Sequence, residues 1–381
     1  MSEGKNDPIY NAHSYHTKVP HKAIMRYILH YTQPGEVVFD GFCGTGMTGV
    51  ASQLCANKSA VESLGYKVLP DGRIAEQRTE GDKTSWVPFS RIGERKALLC
   101  DLSTAATFIA SNYNTPLDAD EFNQDLDRLL KTVEADLGWM YETRHVDGKT
   151  KGVINYTIWS DVFSCPECAG EVVFWDAAVD HSAGKLRDNF DCPHCGSELS
   201  KKGLNRASLT ELDIGTGRPV TCAKQVPVMV NYNVGSKRFE KRLDEFDRKV
   251  IDRVNQTKIE QWFPVDRMIE GSESRRNDPF GLTHAYHFYT RRNLIALAKI
   301  WSLCSNFSDA NHARFVFTSA HQYVNRLCRL HIGNHFNKKG GTVDKPLEGT
   351  LYLPSISLEV NSIERFRLRA RLDRALADIK G

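Results

Sequence analysis

Hydrophobic and polar residues alternate along the first 140 residues in the order expected of an α/β domain. Apolar side chains recur at helical spacing from 20 to 34, where a Pro-Gly pair ends the pattern. A short β-rich run from Glu36 to Asp40 follows, then a glycine-rich turn and a second helical pattern from about 47 to 56. Strand, glycine turn and helix in this order form the opening unit of a doubly wound sheet.

Residues 58–95 interrupt this order, because they are polar and rich in turn-forming residues, and we predict an inserted loop or hairpin there. The sheet is expected to resume at 96–100, and helices are predicted over 103–113 and 118–138. The pattern therefore predicts one α/β domain over 1–140.

The rest of the chain has a less regular pattern. Short β-like runs occupy 153–232, and a charged amphipathic pattern predicts a helix over 237–257. We also predict a loop, a helix, two strands and a last helix, at 271–281, 289–304, 314–319, 350–357 and 363–381 respectively. These patterns divide the chain into four segments, 1–140, 150–232, 233–280 and 281–381.

Charge is concentrated rather than high overall, since the formal net charge is only +3. Between Gly281 and Lys345, nine Lys or Arg residues oppose two Asp, and six His lie in the same stretch. Aromatic residues accompany them, including Tyr286, Tyr289, Tyr323 and Phe336. This mixture suits phosphate contacts and base stacking, although a solvated basic surface has the same composition. We expect the 281–381 segment to face a nucleic acid and to complete the sheet.

Four of the ten cysteines form two CPxC pairs within the β-rich segment 150–232. Two CxxC turns in such a context predict a zinc ribbon, because thiolates at this spacing can meet one tetrahedral ion. Two redox pairs or four buried thiols are the alternatives. The predicted ligands are Cys165, Cys168, Cys192 and Cys195. With all four positions filled by protein, the zinc would be structural.

The turn DGFCGTGMTG, from Asp40 to Gly49, is the most informative stretch. Glycines allow the backbone to turn sharply and to approach a ligand closely, and the following helix N-terminus can hold an anionic group. Gly44, Gly46 and Gly49 satisfy GxGxxG, a spacing that by itself also fits a nicotinamide-type site or a purely structural turn.

The flanking residues distinguish these possibilities. The order Asp-x-Phe-x-Gly-x-Gly, from Asp40 to Gly46, resembles motif I of DNA N6-adenine and N4-cytosine amino-methyltransferases. Upstream, HSYHTKVP at 13–20 resembles the cofactor-binding motif that precedes motif I, His-Pro-Thr-Gln-Lys-Pro, with Val19 as an extra residue before the proline. The resemblance implies a Rossmann-like fold that binds S-adenosylmethionine. A subset of these DNA methylases carries an inserted zinc ribbon.

The resemblance implies a role for each matching residue. Gly44 and Gly46 would pass close to the methionine part of the cofactor, and Asp40 would bind its amino group. Asp101 would accept both ribose hydroxyls, although it lies much farther along the chain than the roughly 20 residues expected, a gap that the 58–95 insertion would explain. A helix N-cap is the alternative role for Asp101. The complete implied set is Thr17, Lys18, Asp40, Phe42, Cys43, Gly44, Gly46 and Asp101.

The same enzymes need a second motif, Asp/Asn/Ser-Pro-Pro-Tyr/Phe/Trp, which orients the target amino group. The chain contains no Pro-Pro pair. Asp278, in NDPFG, is the nearest catalytic candidate, but it lacks the second proline and follows no apolar strand. The catalytic residues therefore remain unknown. Because the catalytic motif comes last in this arrangement, we expect the chain to stop before it or to be split from it.

The sequence thus predicts a DNA methyltransferase that uses S-adenosylmethionine and acts on adenine N6 or cytosine N4. The alternatives are a non-catalytic subunit of a methylation or restriction-modification complex, which needs a second polypeptide for chemistry, and an RNA methyltransferase. No apolar run approaches the roughly 18 residues that span a bilayer, and the N-terminus lacks a secretory pattern. We therefore expect a cytoplasmic protein.

Overall fold

The structure is a computed structural model that describes residues 3–337, 343–346 and 349–380. Its helices are α1 (Pro8–Asn11), α2 (His21–Tyr31), α3 (Met47–Leu54), α4 (Lys58–Glu62), α5 (Thr104–Asn114), α6 (Ala119–Leu137), α7 (Phe174–Ala178), α8 (Glu245–Gln256), α9 (Ser272–Arg275), α10 (Arg291–Cys304), α11 (Ala310–His321), α12 (Ile332–Asn337) and α13 (Ser362–Lys380). Its strands are β1 (Val37–Asp40), β2 (Lys67–Val68), β3 (Arg73–Glu80), β4 (Lys83–Arg91), β5 (Lys96–Leu99), β6 (Glu142–Arg144), β7 (Lys151–Ser164), β8 (Glu171–Val173), β9 (Val179–Asp180), β10 (Lys185–Leu186), β11 (Asn189–Asp191), β12 (Glu198–Ser200), β13 (Asn205–Arg206), β14 (Ser208–Leu212), β15 (Pro219–Ala223), β16 (Gln225–Val234), β17 (Lys237–Arg242), β18 (Cys328–Leu330), β19 (Asp344–Pro346) and β20 (Ile356–Val360).

The chain forms a mixed α/β structure with two compact units. Unit 1 comprises Met1–Leu126, Phe307–Ser319 and Leu368–Gly381. Unit 2 comprises Asp127–Asn306 and Ala320–Arg367.

Unit 1 is built on a parallel pair of strands, β1 and β5, in which Asp40 is the register partner of Leu99. Helix α3 packs on both strands and also contacts α2 and α5. The strand that the sequence predicts at 36–40 and the one at 96–100 are therefore confirmed as neighbours. Their pairing brings the residues that follow β5 next to the turn that follows β1.

Helix α2 illustrates why the predicted elements form. It begins after Pro20, and Thr32 is the residue that follows its last turn. The Oγ1 of Thr32 donates to the Ile28 carbonyl at 2.5 Å. Met25 and Leu29, four residues apart, are fully buried, so one face of the helix packs in the core.

The predicted insertion at 58–95 is confirmed as a hairpin preceded by a short helix, α4. Strands β2, β3 and β4 form an antiparallel sheet of their own, in which the pairing of β3 with β4 runs from Arg73–Arg91 to Glu80–Lys83. Gly81, with φ of +60°, lies in the tight turn at the tip. The insertion therefore lies between β1 and β5 in the sequence and contributes no strand to their sheet.

Unit 2 contains a nine-stranded sheet in the order β17-β16-β7-β20-β18-β19, with β6, β8 and β13 also paired to β7. The 14-residue strand β7 is its centre, and both β16 and β20 run antiparallel to it. The strands from the 281–381 segment belong to this sheet, because β20 pairs with β7 and β18 with β20. The expectation that this segment completes the sheet of the first domain is therefore wrong.

The helix predicted over 237–257 is wrong for residues 237–244. Gly235, with φ of +57°, turns the chain back, and β17 pairs with β16 from Lys237 to Arg242. Helix α8 begins only after Asp244, whose side chain accepts from the Asp247 N–H while Asp247 caps the Asp244 N–H in return. The capping box therefore sets the start of the helix.

Two further strand predictions need correction. Residues 314–319 lie inside helix α11, where buried residues recur four positions apart, Phe315 with Ser319 and Val316 with Ala320. The three apolar residues of this segment, Phe315 to Phe317, are too few to distinguish a helical period from a buried strand. The predicted strand at 350–357 begins only at Ile356, after Pro354, which has no N–H to donate to a ladder.

Candidate functional site

The glycine turn between β1 and α3 is fixed against the end of β5 by backbone hydrogen bonds. The Cys43 N–H donates to the Cys100 carbonyl at 2.9 Å, and the Gly46 N–H donates to the Cys43 carbonyl at 2.8 Å. Gly44 and Gly46 have φ of +51° and +72°, a left-handed conformation that glycine adopts without strain. Cys43 is 8% exposed, and burial together with the nearby carboxylates raises the pKa of its thiol. This thiol is therefore protonated at neutral pH.

Two carboxylates face the turn. Asp40 Oδ2 accepts from Thr48 Oγ1 at 2.6 Å, and Asp40 Oδ1 accepts from the Phe42 N–H at 3.1 Å. Asp101, which follows β5, accepts through Oδ2 from the Gly44 N–H at 2.9 Å. The parallel pairing of β1 and β5 therefore brings together two residues that are 61 positions apart in the sequence.

Asp101 is held in its charged form. Backbone N–H groups of Ser103 and Gly44 donate to its carboxylate and lower its pKa, and hydrogen bonds to the charged form have this effect in general. The alternative that Asp101 is the N-cap of α5 is wrong, because Ser103 is the cap and accepts from the Ala106 N–H at 3.3 Å. Asp101 precedes the cap and reaches toward the turn instead.

Lys18 is turned inward rather than toward the glycine turn. Its Nζ donates to the carbonyls of Tyr10 and His13 at 2.6 and 3.0 Å and to the Tyr113 hydroxyl at 2.9 Å. Burial lowers the pKa of its ammonium group to about 7. Tyr113 is itself fully buried and donates to the Ile9 carbonyl at 3.0 Å. Lys18 therefore fastens the N-terminal segment to α5.

The other residues implied upstream and in the turn are exposed. Thr17 lies on the surface, and Phe42 is 86% exposed. Tyr15, which the sequence did not single out, is closer to the turn, because a Cβ added at Gly44 would lie 3.5 Å from its ring. The Tyr15 ring therefore lies next to the backbone of Gly44 in the turn.

Gly46 and Gly49 have a packing role that sequence reasoning missed. A Cβ at Gly46 would lie 2.7 Å from Ala110 Cβ, and one at Gly49 would lie 2.2 Å from Asn114 Oδ1. Asn114 Nδ2 donates to the Gly46 carbonyl at 3.1 Å, and Asn114 Oδ1 accepts from Gln53 Nε2 at 3.1 Å. The only sequence signal for Asn114 is its place at the end of a helix, which does not indicate this contact.

One face of the β1–β5 pair is open to solvent. Val37, Phe39 and Leu98 on that face are 63%, 67% and 56% exposed. Among the described residues, β1 and β5 pair only with each other. Parallel sheets in proteins are normally larger and covered on both faces, so this arrangement is unusual.

The four predicted cysteine ligands lie together at the end of β7. Their sulfur atoms are all within 4.8 Å of one another, and two of the Sγ–Sγ distances, Cys165 to Cys195 and Cys168 to Cys192, are 3.8 Å. Tetrahedral ligation with Zn–S bonds of about 2.3 Å separates sulfur atoms by about 3.8 Å, so the cluster has the size that zinc requires.

The local backbone supports this cluster. The Ala169 N–H donates to the Cys165 carbonyl and the Gly196 N–H donates to the Cys192 carbonyl, closing two equivalent turns. Ala169 and Gly196 have φ of +57° and +75°, which explains the small residue after each CPxC pair. His194 Nε2 lies 2.9 Å from the Glu171 carbonyl oxygen, so this histidine is outside the cluster.

Comparison with known proteins found a family match that includes the glycine turn. Residues 2–68 match the family model described as DNA methylase. The resemblance to DNA amino-methyltransferases is thus confirmed. The matched segment contains the upstream motif, β1, the glycine turn and α3. Neither the curated proteins nor the solved structures include a match to the chain. No helix among the described residues is long and apolar enough to cross a membrane.

The segment that matches the DNA methylase model has no acceptor-orienting motif in its sequence, and Asp278 lies in unit 2, outside that segment. Asp278 begins a short 3-10 turn, Asp278–Phe280, and its carboxylate forms ion pairs with Arg267 and Arg275 at 3.0 and 3.4 Å. Both arginines contact Oδ2, whereas Oδ1 is buried and has no hydrogen-bond partner among the described residues.

The basic segment is not one exposed surface. Arg292 is 3% exposed and pairs with Glu359 at 3.2 Å, and Lys299 pairs with Asp136 at 2.8 Å. Tyr286 is 2% exposed and its hydroxyl donates to Asp213 at 2.6 Å. Lys338 and Lys339 lie outside the described residues. The structure therefore does not support the interpretation of the whole segment as a single nucleic-acid-facing surface.

Proposed function

We propose that the chain binds S-adenosylmethionine at the glycine turn and forms the cofactor-binding half of a DNA amino-methyltransferase with a Rossmann-like fold. The contact between the Asp101 carboxylate and the Gly44 N–H carries this proposal. It places an ionised acceptor beside a glycine turn that precedes a helix, within the segment that matches DNA methylases. A carboxylate with two acceptor oxygens suits a pair of ribose hydroxyls.

The residues at the turn fit the chemical groups of this cofactor. Asp40 would bind the amino group and Asp101 the ribose, while Gly44, facing Tyr15, leaves room for close approach to the backbone. When bound, the cofactor supplies an electrophilic methyl group for adenine N6 or cytosine N4. Lys18 would act indirectly, because it positions the segment that carries Tyr15.

The cysteine cluster is proposed to hold one structural zinc ion. The Sγ–Sγ distances of 3.8 Å and the two matching turns support this assignment. Because each position is filled by a thiolate, no site is left for a substrate or water. The ribbon would stabilise the end of β7.

Calorimetric titration with S-adenosylmethionine tests the cofactor site. We expect Asp101→Asn to weaken binding at least tenfold, which corresponds to about 1.4 kcal/mol, because the amide offers only one acceptor oxygen and no charge. Asp71→Asn is the matched control, since the Asp71 carboxylate also accepts a backbone N–H two residues later but lies in the insertion. Equal affinity of the Asp101→Asn variant and the unaltered protein would remove the assignment.

A non-catalytic role for the chain alone is the second candidate. Three observations favour it: the sequence has no Pro-Pro motif, Asp278 is engaged by arginines, and the β1–β5 pair has an open face. We infer that the groups that orient the acceptor nitrogen come from another segment or a second polypeptide. The DNA methylase match supports DNA rather than RNA as the substrate.

Methyl transfer from labelled S-adenosylmethionine to DNA tests this second candidate. Alignment of the reactants is worth roughly 7–11 kcal/mol of barrier, so a chain that binds the cofactor without aligning the base should label DNA negligibly. Addition of a polypeptide with the Pro-Pro motif should restore transfer. Robust labelling by the chain alone would contradict this role and would make Asp278 the first residue to substitute.

A further inference from the structure

The two carboxylates at the glycine turn, Asp40 and Asp101, are oriented by different kinds of donor. Both Asp101 oxygens accept from the main chain, Oδ2 from the Gly44 N–H and Oδ1 from the Ser103 N–H, each at 2.9 Å. Asp40 Oδ2 accepts instead from a side chain, the Thr48 hydroxyl, at 2.6 Å. The orientation of Asp40 therefore depends on the residue at position 48, whereas that of Asp101 is set by the backbone.

The proton of the Thr48 hydroxyl is committed to this contact. A separation of 2.6 Å is typical of a hydrogen bond from a hydroxyl to an ionised carboxylate, which is roughly twice as strong as a bond between neutral groups. A threonine hydroxyl has one proton, so Thr48 has no second proton to donate to a bound molecule. Thr48 is therefore a donor to Asp40 rather than a donor to a ligand.

The first turn of α3 holds Thr48 in place. Thr48 is the second residue of this helix, and its carbonyl accepts from the buried Ser52 hydroxyl at 2.8 Å. The next residue, Gly49, packs so closely on α5 that an added Cβ would lie 2.2 Å from Asn114 Oδ1. Threonine is β-branched, so its side chain has few accessible rotamers. The hydroxyl is therefore presented to the end of β1 from a fixed backbone.

The Asp40 carboxylate keeps capacity for a cationic group. Its Oδ1 accepts from the Phe42 N–H at 3.1 Å and its Oδ2 from Thr48, whereas an ionised carboxylate offers about four acceptor sites. The Asp40 side chain is only half-buried, so part of it is accessible to a ligand. Loss of the Thr48 hydroxyl would leave the Phe42 N–H as its hydrogen-bond donor among the described residues. The carboxylate would then be free to rotate away from the turn.

We propose that Thr48 is a positioning residue that orients Asp40 toward the amino group of S-adenosylmethionine. This inference rests on the proposed function, in which Asp40 binds that amino group. The hydroxyl fixes the carboxylate before the cofactor arrives, and a preorganised acceptor loses less conformational entropy on binding. Because Asp101 is oriented by the main chain, contacts to the ribose should not depend on Thr48.

Calorimetric titration with ligands that differ at one end tests this role. S-adenosylmethionine and S-adenosylhomocysteine contain the amino-acid end, whereas 5′-methylthioadenosine keeps the adenosine and the sulfur but lacks that end. Thr48→Val replaces the hydroxyl by a methyl group of similar size. We expect it to weaken binding of the first two ligands roughly tenfold, the effect of removing one hydrogen bond to a charged group. Its affinity for 5′-methylthioadenosine should be unchanged.

Two further variants control for effects on the fold. Thr48→Ser keeps the hydroxyl and should restore most of the affinity for S-adenosylmethionine. Thr107→Val removes a hydroxyl on the exposed side of α5 that donates to the backbone carbonyls of Ser103 and Thr104. This variant should bind all three ligands as the unaltered protein does, because no carboxylate depends on that hydroxyl.

The outcomes separate this inference from the proposed function. Failure of the unaltered protein to bind S-adenosylmethionine would overturn the proposed function and the inference with it. Unchanged S-adenosylmethionine affinity in Thr48→Val, when the unaltered protein binds the cofactor, would overturn the positioning role alone. Equal losses for S-adenosylhomocysteine and 5′-methylthioadenosine would also overturn it, because Thr48 would then support the turn as a whole. Thr48→Ser binding as weakly as Thr48→Val would contradict it as well.

Discussion

Gly44 and Gly46 lie two residues apart in the same turn, and the structure predicts different consequences for alanine at each. At Gly46 the added Cβ would lie 2.7 Å from Ala110 Cβ and 2.9 Å from Ala110 Cα. Relief of this overlap would require the backbone of α5 to shift, which costs free energy. At Gly44 the nearest atom would be the Tyr15 ring at 3.5 Å, which is an ordinary contact. Both residues have positive φ, so both variants carry backbone strain.

The magnitudes follow from these contacts. Left-handed backbone costs a residue with a Cβ about 1–2 kcal/mol, and overpacking adds about 1–3 kcal/mol. Gly46→Ala should therefore destabilise the turn by about 2–5 kcal/mol and Gly44→Ala by about 1–2 kcal/mol. Since each 1.4 kcal/mol is tenfold, local opening should become at least about 30-fold more frequent in Gly46→Ala and roughly 5- to 30-fold more frequent in Gly44→Ala.

Hydrogen exchange of peptides that cover β1, the turn and α3 measures this opening directly. We expect faster exchange in both variants, with the larger change in Gly46→Ala extending into α5. Titration with S-adenosylmethionine supplies the second measurement, and we expect Gly44→Ala to lose affinity although its fold is retained. Equal exchange in the two variants would refute the reasoning, because it would mean that contact with Ala110 does not set the requirement for glycine.

Three further predictions follow from contacts described above. Cys168→Ser should lower the zinc content and speed exchange at the end of β7, whereas Cys222→Ser, outside the cluster, should leave both unchanged; zinc-free protein purified under reducing conditions would contradict the metal assignment. Lys18 has a folded pKa of about 7 against 10.5 for the unfolded group, so the unfolded chain binds more protons between these values and stability should rise with pH from about 7 to 10. The free energy of unfolding, measured at several pH values, should rise in the unaltered protein and rise less in Lys18→Met. The same dependence of stability on pH in both proteins would contradict this role of Lys18. Asn114→Leu removes the hydrogen bond to the Gly46 carbonyl and should destabilise unit 1 by about 1–3 kcal/mol, whereas an unchanged denaturation midpoint would show that the contact is dispensable.

Local sequence patterns predicted the strand–glycine turn–helix unit and the cysteine cluster. The elements α2, β1, α3, β5 and α5 follow from apolar periodicity and glycine placement, and the CPxC spacing was enough to predict that four thiols meet. At the glycine turn the contacts join residues close together in the sequence, and at the cysteine cluster they belong to a repeated motif. Patterns of this kind predict the local backbone geometry directly.

Contacts between distant segments were not predictable in the same way. The inward orientation of Lys18 depends on Tyr113, and the need for glycine at position 46 depends on Ala110 and Asn114. The 237–242 strand was missed because its pairing partner, β16, is what determines its conformation. Charge composition likewise suggested one basic surface, although Arg292 is buried beside Glu359. Pairing and burial decide these cases, and neither is visible in a local pattern.

The base of the inserted hairpin is fastened independently of its tip. Arg95, 1% exposed, donates to the Arg91 and Gly93 carbonyls and to the Thr32 carbonyl at the end of α2. The chain between β1 and β5 can therefore lengthen or shorten at Gly81 without moving Asp40 relative to Asp101. Doubling a flexible loop costs only about 0.6 kcal/mol of closure entropy, so the tip can accept a tag, a fluorophore or a whole domain. The long sequence separation of Asp40 and Asp101 is therefore taken up by a hairpin whose tip is a suitable point for insertion.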